Sequence, residues 1–193
     1  MKQDSNTYKK PGRLTNEEPL DENMRRWFDS RGIPAEVAEK EGLTKACRKM
    51  PQTGKISNCI IFPYMVEGEL VNRKYRDGAK NFMLEAGARL VPWRIDHIRD
   101  TPACIITEGE MDALSFIVAG YDNVVSAPNG AQRNLTWLDD FIETHFENKE
   151  RIYIAVDTDT KGLELRNELV RRFGEGACRI VTYGKDCKDA NEL

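Results

Sequence analysis

The second half of the chain constrains the fold most, because short apolar runs and amphipathic segments alternate there with little between them. Residues 103–107 (ACIIT), 123–128 (NVVSAP), 151–157 (RIYIAVD) and 177–183 (ACRIVTY) each read as a strand. Between them EGEMDALSFIVAG, LTWLDDFIETHF and KGLELRNELVRRFG carry helical spacing, with Asn134 as a start signal and Gly120 and Gly174 as stops. Strands alternating with helices of about ten to fifteen residues form βαβ units, so residues 101–193 predict an α/β domain on a parallel four-stranded sheet. Its crossovers are expected to be right-handed, with helices on the faces.

The first half reads differently. Residues 1–20 are polar and broken by Pro11, Gly12 and Pro19, which predicts a flexible leader. Residues 21–100 read as a small mixed α+β subdomain. A helix from Asp21 stops at Gly32 before Pro34, and PAEVAEKEGL gives a short second helix ending at Gly42. KISNCIIFPYMVEGELVNRKYR predicts a β-hairpin turning at Glu67-Gly68. Its second strand puts Arg73 and Tyr75 on one face and Lys74 and Arg76 on the other.

Charge follows the same division. Residues 1–100 hold 19 Lys and Arg against 15 Asp and Glu, and residues 101–193 hold 10 against 17. A basic half joined to an acidic half suits an anionic substrate meeting bound cations at the junction. No apolar stretch approaches the roughly 18 to 20 residues of a membrane span, and the N-terminus lacks the apolar centre of a secretory signal, so a cytoplasmic protein is expected. The five cysteines form no CxxC pair, which argues against a disulfide framework or a zinc ribbon, and His97 and His145 are too isolated to suggest a metal cluster.

In an open parallel sheet, ligands bind beyond the carboxyl ends of the strands. Glu108 follows the first strand, Asp157 and Asp159 the third, and Asp186 and Asp189 the fourth. Carboxylates crowded at one edge repel unless a cation neutralises them. The donors are all oxygens, so Mg²⁺ or Mn²⁺ suits them better than zinc. Asp112, one helical turn after Glu108, shares its side of the helix, whereas Glu110 is expected to point elsewhere. Thr53-Gly54-Lys55 lacks the rest of a phosphate-binding loop, and Gly174-Glu175-Gly176 follows a helix instead of a strand, so neither supports ATPase or dehydrogenase chemistry.

IITEGEMDALS, IAVDTDTKG and KDCKDANEL, in that order and spacing, resemble the TOPRIM domain of primases, topoisomerases and some nucleases. EGExDALS and KDANE, together with WFDSRGIP and RKYRDGAKNF upstream, resemble more narrowly the primases of phage primase-helicases and the related mitochondrial replicative helicase. The likeness begins at about residue 22 and implies a Rossmann-like TOPRIM sheet behind a basic primase subdomain.

It also implies roles. Glu108 and Asp112 take the catalytic positions, and Glu108, Asp157, Asp159 and Asp189 the metal site. Arg73, Lys74, Arg76, Lys80, Lys188 and Asn191 take positions that hold nucleotide or DNA. The implied activity is synthesis of short RNA primers on single-stranded DNA from ribonucleoside triphosphates, with Mg²⁺ or Mn²⁺. A replicative helicase domain is the implied partner, and a bacterial or phage-infected cell the implied setting. No zinc-binding or helicase motif is present, so the chain reads as an excised catalytic core. Two readings compete: a TOPRIM nuclease, and an inactive DNA-binding module. The basic segment and the RGI helix favour the primase because they match outside the shared acidic motifs.

Overall fold

The computed structural model describes residues 8–132, 134–184 and 187–193. The first two elements are helices, α1 (Glu22–Ser30) and α2 (Ala35–Lys40). Asp21 caps α1, its carboxylate accepting the Met24 amide at 3.0 Å, which satisfies one of the free donors of the first turn. An antiparallel sheet follows in the order β1 (Thr44–Lys49), β2 (Ile56–Val66), β3 (Glu69–Asp77), β4 (Phe82–Leu84). The β2–β3 hairpin turns at Glu67-Gly68, both at positive φ (53° and 75°), the twist that suits a two-residue hairpin. The sequence had shown the hairpin but neither flanking strand, since β1 is half charged and β4 has only three residues.

The second sheet is parallel in the order β6-β5-β7-β8, from β5 (Ala103–Thr107), β6 (Val124–Ser126), β7 (Arg151–Ala155) and β8 (Cys178–Ile180). Helix α3 (Glu110–Val118) links β5 to β6, and α4 (Thr160–Phe173) links β7 to β8. All four expected strands are present and parallel. The expected regular helix over LTWLDDFIETHF is not formed. A 3₁₀ turn (Thr136–Leu138) and a π-helical turn (Ile142–Phe146) replace it. Leu135, Leu138 and Phe141 recur every third residue and are all buried, which a 3.0-residue turn satisfies better than a 3.6-residue one.

The two sheets share a core. Phe28, Ile33, Phe62 and Tyr64 from the first half pack in one continuous apolar cluster with Ile106, Leu114, Ile154 and Leu169 from the second. Trp93, in the connection, exchanges backbone hydrogen bonds with Ser126 at 3.1 and 3.3 Å and so lies along the edge of β6. A smaller cluster of Ala46, Met50, Cys59, Ile61 and Tyr75 fills the other face of the first sheet. Of the leader expected over 1–20, the described part lies against that sheet: Leu20 is buried and Gly12 accepts a hydrogen bond from Arg73.

Candidate functional site

The order β6-β5-β7-β8 reverses direction between β5 and β7, and ligand crevices of parallel sheets form at that kind of switch point. Glu108 follows β5 and Asp157 follows β7, so the two acids flank the crevice. A cleft of about 510 Å³ opens there, between the carboxyl edge of the parallel sheet and one face of the antiparallel one. On the acidic side it is lined by Glu108, Asp112, Asp157 and Asp189, and on the basic side by Arg31, Lys74, Arg76 and Lys80. Lys188 and Asn191 also reach it.

The acids perturb one another. Burial, reinforced by Asp157 and Asp159, raises the Glu108 carboxyl to about 7. Burial together with Asp189 and Asp157 raises Asp112 to about 8, against the pull of the Asn191 amide. Asp157 rises to about 6 from burial, Asp189 and Asp159, with Lys188 opposing. Three raised carboxyls in one cleft mark a site where negative charge lacks compensation.

Glu108 Oε2 is buried with no hydrogen-bond partner among the described residues. No three acidic, His or Cys side chains among the described residues close into a cage that could hold a metal. The carboxylate oxygens that line the cleft, the unpaired Glu108 Oε2 among them, are nevertheless hard donors that suit Mg²⁺ or Mn²⁺, which one or two carboxylates can hold with water completing the shell. Glu108, Asp157 and Asp189 are the residues present for it.

Asp159 stands apart from the cleft lining. It caps α4, its Oδ1 accepting the Gly162 amide at 2.8 Å, and acts on Glu108 and Asp157 only through its charge. The tight turn depends on Gly162, where an added Cβ would stand 2.1 Å from the Asp157 carbonyl oxygen. Asp186 lies outside the described residues.

On the basic side the strand alternation holds, but only one face meets the cleft. Lys74 and Arg76 line it, while Arg73 lies on the opposite face, bonded to the Gly12 carbonyl at 2.9 Å and near Glu17 and Glu85. Asn191 ties elements together: its amide donates to Asp112 at 3.3 Å and its side chain to Ser115 and the Arg31 carbonyl at 3.0 Å. Arg31 Nε donates to Asn191 Oδ1 at 2.6 Å. Lys188 is exposed and pairs with Glu192 at 3.1 Å.

Sequence reasoning missed Arg31, Glu110 and the neutral loop after β6, including Asn129, Gly130 and Gln132. That loop was findable, since it also leaves the carboxyl end of a parallel strand, but it carries no acid to mark it. Glu110 does not point away from the site. It is 4% exposed, lines the cleft, and accepts hydrogen bonds from Lys74 and from the Tyr64 hydroxyl.

This sheet order, with acids at its switch point and a basic antiparallel sheet facing them, belongs to a fold shared with solved primase fragments, and its parallel half is Toprim-like. Residues 105–193 match the family described as Toprim-like. The chain is 32% identical to the "Primase homolog protein" of Arabidopsis thaliana, across 91% of this chain and 56% of the relative. It is 31% identical to the "Twinkle homolog protein, chloroplastic/mitochondrial" of the same plant, across 91% of this chain and 26% of the relative. The chain thus spans about half and about a quarter of these relatives.

Among solved structures, the primase fragment of the bacteriophage T7 primase-helicase superposes with a TM-score of 0.72 at 24% identity, covering 96% of this chain and 76% of that one. The zinc-binding and RNA polymerase domains of the Aquifex aeolicus primase give 0.68 at 17% identity, over 89% of this chain and 52% of that one. Likeness at these identities shows a shared fold.

Proposed function

We propose that this chain is the catalytic core of a DNA primase, joining ribonucleoside triphosphates into short RNA along a single-stranded DNA template. The observation that carries this reading is the single cleft in which Glu108, Asp157 and Asp189 face Arg31, Arg76 and Lys80. An anionic substrate needs a cationic wall to receive it and a site where its reacting phosphate can be neutralised. The names of both Arabidopsis relatives support the same reading, since one is a primase homolog and the other a homolog of Twinkle.

In this reading Asp157 and Asp189, with Glu108 beside them, would hold Mg²⁺ or Mn²⁺, which when bound supplies charge neutralisation of the triphosphate. Arg76, Lys80 and Arg31 bind phosphates and orient them across the cleft. Glu108, with one oxygen unpaired, accepts the proton as the 3′-hydroxyl attacks the α-phosphate in line, while the bond from the α-phosphorus to the bridging oxygen breaks and pyrophosphate leaves. Asp112 accepts the Asn191 amide and so positions the C-terminal arm that carries Asp189. A replicative helicase domain, in the same parent chain or in trans, is the proposed partner. No described helix is long and apolar enough to cross a membrane. The compartment follows the template: cytoplasm in a bacterial or phage-infected cell, an organelle if the Twinkle homolog's name is the guide.

The test is extension of RNA on single-stranded DNA, with Mg²⁺ or Mn²⁺, ribonucleotides and a dinucleotide to start the chain. The expected result is short RNA from wild type and none from Asp157→Ala. Cleavage of the DNA without synthesis assigns the chain to nuclease chemistry instead, and metal-independent DNA binding alone assigns it to an inactive module.

A further inference from the structure

The cations of the cleft differ in what already neutralises them. Lys74 is taken up by Glu110, at 2.9 and 3.0 Å from its two oxygens. Arg76 is buried, 8% exposed, yet forms no ion pair among the described residues. Its one hydrogen bond among the described residues runs to the Asp77 carbonyl at 3.4 Å. The guanidinium lies 4.4 Å from the Trp27 ring centroid and 5.9 Å from that of Phe82. Burying an unpaired charge is costly, so a guanidinium kept this way in a cleft suits an arriving anion.

Phe82 is the direct cross-strand partner of Arg76, and alternation puts both on the cleft side of the sheet. Phe82 is 42% exposed, one of the few large apolar residues left open to solvent among the described residues. The loop joining the pair is fixed: the Asp77 carboxylate accepts the amides of Ala79 and Asn81 and the Asn81 side chain, each at 2.9 Å. Gln52 holds the Phe82 carbonyl at 2.6 Å. A rigidly placed, open aromatic ring beside an uncompensated arginine is the combination that binds a base by stacking and its phosphate by charge.

We propose that Phe82 and Arg76 form one subsite for a nucleotide unit, the base stacking on Phe82 and the phosphate held by Arg76 with Lys80 beside it. This deepens the primase reading and rests on it. The unit comes either from the template strand or from the incoming ribonucleoside triphosphate.

The experiment measures affinity of wild type, Phe82→Ala and Phe82→Trp for two probes: labelled single-stranded DNA, by anisotropy, and a ribonucleoside triphosphate with Mg²⁺, by tryptophan emission, since Trp27 lies against Arg76. Phe82→Ala is expected to weaken one probe by about tenfold while Phe82→Trp stays near wild type. Loss on DNA alone assigns the unit to the template, and loss on the triphosphate alone assigns it to the nucleotide. Abasic DNA and inorganic triphosphate, which lack the base, should bind wild type and Phe82→Ala equally. Thermal melting confirms that the variants are folded. Affinities of Phe82→Ala within twofold of wild type for both probes overturn the subsite and leave the primase reading standing. A wild-type protein that binds neither probe overturns both.

Discussion

Lys74 on β3 and Glu110 at the start of α3 form a 2.9 Å ion pair with side chains only 9% and 4% exposed, and the Tyr64 hydroxyl closes on the same carboxylate. The pair joins the antiparallel sheet to the parallel domain at the rim of the cleft. Removing one partner strands a buried polar or charged group, so Lys74→Met or Glu110→Leu alone should lose about 3 kcal/mol of stability, whereas the double variant Lys74→Met/Glu110→Leu should recover most of it. Urea unfolding of the two single variants and the double variant checks this, and an additive double variant would disprove the coupling.

Arg73 and Arg76 lie on opposite faces of β3, and this separates stability from binding. Arg73 is 7% exposed in its side chain and spent on Gly12, Glu17 and Glu85. Arg73→Ala is expected to destabilise by roughly 2 kcal/mol through lost hydrogen bonds while leaving the affinity for single-stranded DNA within about twofold at fixed salt. Arg76→Ala should do the reverse and flatten the salt dependence of binding. Titrations at two or more salt concentrations distinguish them.

Much of this arrangement was legible in the chain. The parallel sheet followed from the alternation of apolar runs with amphipathic segments, and the acidic edge from the rule that loops leave strand ends on one side. Which face of β3 meets the cleft was not legible, because docking of the two sheets decides it. Glu110 was misjudged because its partners, Lys74 and Tyr64, stand 36 and 46 residues earlier and no local spacing reveals them. Asp159 illustrates the converse: an acid four residues beyond the end of β7 caps a helix, a role its position allowed all along.

Asp157 and Asp159 should therefore behave differently when substituted. Asp157 lines the cleft and Asp159 caps α4. Asp157→Ala is expected to abolish Mg²⁺-dependent RNA synthesis and to weaken metal binding at least tenfold by calorimetry. Asp159→Asn keeps the cap and should cost less than about 0.5 kcal/mol, whereas Asp159→Ala should cost about 1 kcal/mol. A loss of metal affinity with Asp159→Asn equal to that with Asp157→Ala would give both acids the same role.

The raised carboxyls make a signed prediction for pH. Glu108, Asp112 and Asp157 titrate near 7, 8 and 6 when folded, above the ordinary carboxylate range they have when unfolded. Between about pH 4 and pH 8 the folded chain therefore holds more protons than the unfolded one, and its stability falls as pH rises. In chelator the melting temperature at pH 8.5 should lie several degrees below that at pH 5.5, with Mg²⁺ restoring part of the difference at the higher pH. The dependence should shrink in Asp112→Asn, and a metal-free protein more stable at pH 8.5 would contradict the assigned environment.

Gly162 offers the sharpest link between backbone and site. In most helices Gly→Ala gains up to about 1 kcal/mol from propensity. Here the new Cβ would stand 2.1 Å from the Asp157 carbonyl oxygen and 2.7 Å from its carbon, so the first turn of α4 must retreat from the end of β7. Neither neighbour is a flexible side-chain tip that could yield. Gly162→Ala should thus destabilise by at least about 2 kcal/mol and move Asp157 away from Glu108, lowering Mg²⁺ affinity about tenfold. Gly176, where an added Cβ meets nothing within 4 Å, is the matched control. Its alanine variant should melt and bind metal as wild type does, so a shared loss in both variants would remove the steric explanation.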